Sequence, residues 1–339
     1  MKIFKVSALL VCLGLTAASV MAQTTPTSKQ TSSPTQITAQ NSGFPNKPIY
    51  ILVPYGAGSG GDLYSRFFGK KLSEILKVPV IVENKAGGGG TVAIQTIKTN
   101  PADGYTLFMG SNSPAAANVA TVKNLTYDPL RDFRPISGMT RSMAVFMVSN
   151  DSSLKTMADL LKRGHQQPPL NMAYYTYGYQ LAAAQLTAKA NINSQSVMYK
   201  GLSQVMTDVM GNQVDIGVVD STGSVTTAVS GKVRALLVTG TQRHPELPDV
   251  PTLVESGFPE AVHYSWTAFF VNSKTPDDIV KVLADAMQQA LAQPDSIDFI
   301  VKTSAEPMPL GPKEMRKFQE AEIERYIKAA KSIDFQAVD

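Results

Sequence analysis

Two glycine-rich stretches hold the residues best placed to do chemistry. The first is Pro54-Tyr55-Gly56-Ala57-Gly58-Ser59-Gly60-Gly61-Asp62, and the second is Asn84-Lys85-Ala86-Gly87-Gly88-Gly89-Gly90. Glycine lets the backbone turn sharply and come close to a ligand. Unbonded N–H groups at the start of a following helix favour an anion there. The chemistry on offer is therefore the holding of a small anion. Gly56, Gly58 and Gly61 also satisfy G-x-G-x-x-G, with Glu83 at about the dinucleotide-fold distance. Three features oppose a nicotinamide site. The chain carries an export signal, Pro54 and Tyr55 lengthen the turn, and Asp62 puts a carboxylate where a pyrophosphate would sit. Glycines needed only for turn geometry are the plainer alternative.

Other constellations are missing. His165 lies in a Gln-Pro linker, His244 precedes Pro245, and His263 stands alone, so none has metal-ligand spacing. No G-x-S-x-G elbow follows a strand. No catalytic residue, no metal and no cofactor is expected. Tyr174, Tyr175, Tyr177 and Tyr179 crowd one strand-to-helix loop. Their hydroxyls need partners if buried, so they read either as aromatic plugs in a packed loop or as the wall of a ligand pocket.

The elements that position these residues repeat. Residues 48–100 write one unit twice: an apolar strand (49–53, then 80–83), a glycine-rich turn, and a helix. Such alternation predicts a parallel, doubly wound sheet with its site at the carboxyl edge of the strands. A third strand is expected at 104–109, opening into a loop over 110–114, with a turn at 128–133 and a strand at 144–148. A helix over 152–161 with a serine cap follows. The pattern restarts at Leu170 with strands near 170–173, 196–199, 214–219 and 232–239, and helices at 180–190 and 203–210, as a second sheet of the same class. Residues 265–271 read as extended. Thr275 caps a helix that Pro276 opens and that runs over 277–292, and a last helix spans 313–331.

The ends set the compartment. Lys2 and Lys5 precede an apolar core at 6–15, and Val20-Met21-Ala22 is a small-residue cleavage site, so residues 1–22 are expected to be a secretory signal. The only cysteine, Cys12, lies within it, which leaves no disulfide or thiol chemistry. Residues 23–43, rich in Thr, Ser, Gln and Pro, are an expected disordered leader. The remainder, close to three hundred residues, suggests two lobes. Without Lys2 and Lys5 the 31 basic residues become 29 against 27 acidic ones, too mild a balance for nucleic acid. No later segment has membrane-spanning length.

The motifs along residues 44–339 resemble one family in order. They include Phe44-Pro45-Asn46-Lys47-Pro48-Ile49, Val53-Pro54-Tyr55 with the glycines and Asp62, and Val82-Glu83-Asn84-Lys85-Ala86-Gly87. Pro101-Ala102-Asp103-Gly104-Tyr105, Tyr127-Asp128-Pro129-Leu130-Arg131-Asp132-Phe133 and Tyr199-Lys200-Gly201 follow. Gly211-Asn212-Gln213-Val214-Asp215, Gly231-Lys232-Val233-Arg234-Ala235-Leu236 and Leu247-Pro248-Asp249-Val250-Pro251-Thr252 complete the series. The chain thereby resembles the extracytoplasmic solute receptors of tripartite tricarboxylate transporters, the Bug-type receptors. The resemblance implies an α/β, type II periplasmic-binding-protein fold: two doubly wound lobes (44–143 with 267–339, and 144–266), a two-segment hinge, and a ligand cleft between the lobes. It implies a periplasmic, monomeric, non-enzymatic receptor for a small carboxylate, working with membrane transporter subunits and no nucleic acid. It places Tyr55, Ala57 and Gly58, then Ser111 and Asn112, on one side of the ligand. Tyr175, Thr176, Tyr177 and Gly178 complete the grip, with Tyr199 and Asp220 at neighbouring strand ends. The tyrosine loop departs from the family's Gly/Ser/Thr-rich pattern, which implies a pocket reshaped for an aromatic or smaller acid, or a sensing role. An exported ligand sensor and an exported α/β enzyme are the competing classes.

Overall fold

The computed structural model describes residues 43–338, so the expected signal segment and all of the expected leader except Gly43 lie outside the described residues. The first unit folds as its pattern dictates. Strand β1 (Ile49–Val53) is buried at four of five positions and leads through the glycine turn into α1 (Gly60–Leu76). Ser59 caps α1 by accepting the Asp62 N–H at 3.3 Å. Ser59→Ala is expected to cost about 1 kcal/mol, read as a lower urea midpoint with an unchanged slope. The second unit comprises β2 (Val80–Asn84), a tight turn at Gly88–Gly90 and α2 (Thr91–Thr99).

Strand β3 (Thr106–Ser111) runs to Ser111, and a helical turn (Ser113–Ala117) passes directly into α3 (Asn118–Thr121). The loop expected over 110–114 is therefore corrected to the end of a strand and the start of a helix. A larger correction concerns β4 (Phe133–Ser149), one continuous strand of 17 residues where only 144–148 was expected. Its register slips between Pro135 and Ser137 and between Gly138 and Thr140. Such bulges tolerate a proline and bend a strand.

The chain continues through α4 (Met157–Gly164), β5 (Leu170–Tyr174), α5 (Tyr177–Lys189), β6 (Ser194–Met198), α6 (Leu202–Met210) and β7 (Ile216–Asp220). Next come α7 (Ser221–Val229), β8 (Val233–Val238), β9 (Tyr264–Asn272), α8 (Asp277–Leu291), α9 (Pro294–Lys302), β10 (Glu306–Pro307) and α10 (Pro312–Ser332). Helix α4 starts later than the serine cap predicted, because Thr156 and Asp159 form a reciprocal capping box. Pro276, rather than Thr275, occupies the cap position of α8.

The strands form a ten-stranded sheet in the order β2-β1-β3-β9-β4-β7-β5-β6, with β8 and β10 also paired to β4. Two halves share it. Residues 133–143 of β4 pair with β9 in the first half, whereas residues 144–149 pair with β7 and β8 in the second. Parallel pairing holds for β1 with β2 and β3, and for β5 with β6 and β7. The purely parallel sheets expected from the alternation are corrected by β9 and β4, which run antiparallel to their neighbours. The chain returns to the first half beside this crossing. Thr239 donates its N–H to the Ala144 carbonyl at 2.9 Å, and His263 donates its N–H to the Thr239 carbonyl at 3.0 Å. Trp266, Tyr64, Tyr326 and Phe68 are the largest fully buried side chains. No helix among the described residues is long and apolar enough to cross a membrane.

Candidate functional site

Four strand ends meet where the halves touch. From the first half come the turn after β1 with the start of α1, and the end of β3. The second half brings Tyr175 and Thr176 with the start of α5, and Asp220 at the start of α7. Thr176 caps α5 by accepting the Tyr179 N–H, and Asp220 caps α7 by accepting the Gly223 N–H at 3.2 Å. The tyrosine stretch is thus less of a loop than its sequence suggests: Tyr174 ends a strand, and Tyr177 and Tyr179 lie in the first turn of a helix.

The rings are mostly buried, because distant residues partner their hydroxyls. Tyr175 donates to the Asp220 carboxylate. Tyr55 and Ser111 share a hydrogen bond of 2.7 Å. The Tyr55 and Tyr175 rings meet edge-on at 5.5 Å, and Tyr179 stands edge-on to Tyr175 at the same separation. Burial pushes the hydroxyls of Tyr55, Tyr175 and Tyr179 well above the usual tyrosine range. Tyr174 turns elsewhere, its hydroxyl facing Ser196. Asp220 is 3% exposed, and burial raises its carboxyl above the ordinary value, although the Tyr175 hydroxyl and the Gly223 N–H oppose the shift.

Two compartments result, with the Tyr55–Tyr175 pair as their common wall. The inner one measures about 20 Å³, and Asp220 is the only charged residue lining it. That volume holds about one water molecule. The outer one measures about 150 Å³ and lies between the Gly87–Gly90 turn, Tyr177, Tyr199 and Lys200. Lys200 is its only charged lining residue.

The contacts between the halves are made by small groups. Gly178 donates its N–H to Ser113 Oγ at 2.8 Å. A Cβ on Gly178 would stand 2.3 Å from Asn112 Nδ2, so only glycine permits this approach. A Cβ on Gly89 would fall 2.1 Å from the Tyr177 ring, which therefore lies directly on the glycine turn. Gly56 donates to the Lys200 carbonyl at 3.4 Å, and Ser203 Oγ to the Ala57 carbonyl at 3.5 Å. Tyr64 bonds Thr222 across the seam at 3.2 Å.

The residues proposed from the sequence fall into distinct places. Tyr55, Ser111, Asn112, Tyr175, Thr176 and Asp220 line the inner compartment, and Tyr177 and Tyr199 join Tyr55 and Tyr175 around the outer one. Ala57, Gly58 and Gly178 sit on the seam and line neither. The Gly58 N–H is already bonded to Asp62 Oδ2 at 3.0 Å. Burial pushes the Asp62 carboxyl up, but Arg66, the Gly58 N–H and Asn84 outweigh it and hold the group below its usual value. Asn112 is spent inside the fold, donating to the Tyr326 hydroxyl at 3.1 Å and accepting from Ser265 Oγ at 2.9 Å. Tyr199 donates to Asp208 at 2.5 Å. Sequence reasoning missed Ser113, Tyr64 and Thr222. A tyrosine one turn into the helix after the glycine loop was the available signal for Tyr64.

Known proteins share this architecture. A Rhodopseudomonas palustris protein solved with adipate superposes with a TM-score of 0.83 at 26% identity, covering 87% of this chain and 100% of that one. MatC of Rhodopseudomonas palustris, solved with bound malate, gives 0.81 at 26% identity over 84% of this chain and 99% of that one. A Pseudomonas protein of the tcbD–tcbE intergenic region is 30% identical over 84% of this chain and 86% of its own length. The model of the tripartite tricarboxylate transporter family receptor matches residues 65–334, and the chain belongs to that family.

Proposed function

We propose that this chain is an exported receptor that captures a small carboxylate between its lobes, a di- or tricarboxylate or an aromatic acid, and delivers it to the membrane subunits of a tripartite transporter. The observation that carries this reading is the seam itself. The starts of α1 and α5, one from each half, face a shared cleft whose contacts are backbone N–H groups and hydroxyls. Polar groups of this kind, gathered from both halves, can take over part of a small anion's hydration as it enters the cleft. The relatives solved with malate and adipate support the ligand class. The crossings at Met143–Ala144 and between Thr239 and Tyr264 support two lobes near the expected bounds of 44–143 with 267–339 and 144–266, except that Tyr264–Trp266 pair with residues 141–143 of the first. A monomer that closes by hinging is part of this proposal. An enzyme would need an acid/base couple in the cleft. Asp220 is the only carboxylate lining the inner compartment, and the tyrosines around it are held protonated by burial.

A thermal-shift screen over aliphatic and aromatic mono-, di- and tricarboxylates is expected to raise the unfolding midpoint for one chemical group of acids. Small-angle scattering with the best of them is expected to show compaction. No shift with any acid, together with an unmoved radius of gyration, overturns the receptor reading. Loss of uptake on deletion of the gene separates transport from pure sensing.

A further inference from the structure

The geometry points to the outer compartment as the seat of the ligand's carboxylate, with Lys200 as its charge partner and a one-ring aromatic monocarboxylate as the ligand class. This rests on the reading of the cleft as a solute site. Size argues first. A cavity of about 150 Å³ is known to admit a benzene ring, and the outer compartment measures about 150 Å³, whereas the inner one measures about 20 Å³. Charge argues the same way. An anion in the inner compartment would meet the buried Asp220 with no cation among that compartment's lining residues, and like charges in a desolvated site repel strongly. In the outer compartment it meets Lys200 and no acid.

The lining fits a flat ring. Tyr55, Tyr175 and Tyr177 offer aromatic surfaces, and Met198 a polarizable one. The Tyr177 ring already covers Gly89, and the rest of the turn lining the compartment presents backbone without side chains. The Tyr175 ring is fixed as a partition by its hydroxyl bond to Asp220 and its edge-on contact with Tyr55. Lys200 is anchored through its backbone alone: its carbonyl accepts from Gly56, and its N–H donates to Gln204 Oε1 at 3.0 Å. Its ammonium has no carboxylate partner among the described residues.

Titration calorimetry with benzoate, cyclohexanecarboxylate and succinate tests this in the wild type, Lys200→Met and Lys200→Arg. Lys232→Met serves as a control that removes one exposed positive charge elsewhere in the second half. Benzoate is expected to bind the wild type at least about ten-fold tighter than succinate, with cyclohexanecarboxylate between them. Lys200→Met is expected to weaken benzoate about ten-fold or more, Lys200→Arg to recover most of that loss, and Lys232→Met to change nothing. Benzoate binding no tighter than succinate, or unmoved by Lys200→Met, overturns the assignment. If succinate binds the wild type and ignores Lys200→Met, the receptor reading stands and only the outer seat falls. If none of the carboxylates binds at millimolar concentration, the outer seat falls, and the wider acid screen decides the receptor reading separately.

Discussion

Gly178→Ala is expected to lower carboxylate affinity by about two orders of magnitude, roughly 2.7 kcal/mol, while leaving the folded protein at least as stable. The added methyl would sit 2.3 Å from Asn112 Nδ2 and 2.9 Å from Ser113 Oγ, both in the other half. Asn112 cannot yield easily, because Tyr326 and Ser265 hold its amide from both sides. The clash exists only when the halves are in contact. Within α5 itself alanine is the better residue, so under the proposed hinging the opened lobes lose nothing. Calorimetry against the best acid from the screen, paired with small-angle scattering, checks both parts. Undiminished affinity with full compaction would show that this contact does not report closure.

The second large effect concerns Asp220 and pH. Its folded-state carboxyl titrates above the ordinary 3.8, chiefly through burial. A raised carboxyl means that the folded state prefers the protonated form. The resulting stability is fully present below the unfolded value and is lost as pH rises through the folded one. The group faces Tyr55, Tyr64, Tyr175 and Tyr179, with no cation lining its compartment to favour the charged form, so its contribution to stability declines as pH rises. Asp220→Asn keeps an oxygen to accept the Gly223 N–H at the cap of α7, and its NH2 takes the place of the oxygen that accepted from Tyr175, where the hydroxyl turns to accept instead. The variant is expected to melt several degrees above the wild type at pH 7, and the gap is expected to close as pH falls towards 4. Melting curves across that range decide it, and a gap independent of pH would assign the stabilisation to packing instead.

Much of the fold was legible because local signals agreed with one another. Strand, glycine turn and capped helix follow in order around Ser59, and the same unit recurs before α2. The first part of β4 was hidden by Pro135 and Gly138, residues that interrupt a strand pattern. Its partner β9 satisfies the buried polar positions, as in the 2.7 Å bond between Thr140 and Thr267. The tyrosines were visible as a cluster, but their packing was not. Tyr175 finds its acceptor 45 positions away, and Asn112 is consumed by a tyrosine 214 positions away. No window of local sequence carries that information. The opposite charges of the two compartments were equally invisible, since each depends on which strand ends the fold brings together.

The course of the chain also governs the order in which this molecule can be completed. Strands β4, β5, β6, β7 and β8 lie in one unbroken stretch, so the second half can finish its pairing from a single contiguous segment. The first half cannot. Strand β9 lies between β3 and β4, and it is supplied by residues 264–272. Until they arrive, β3 keeps an open edge of the kind that pairs with other chains. The last quarter of the polypeptide is therefore also its safeguard against aggregation, and a chain truncated before β9 is expected to aggregate, by light scattering, even though its second half could be correctly built.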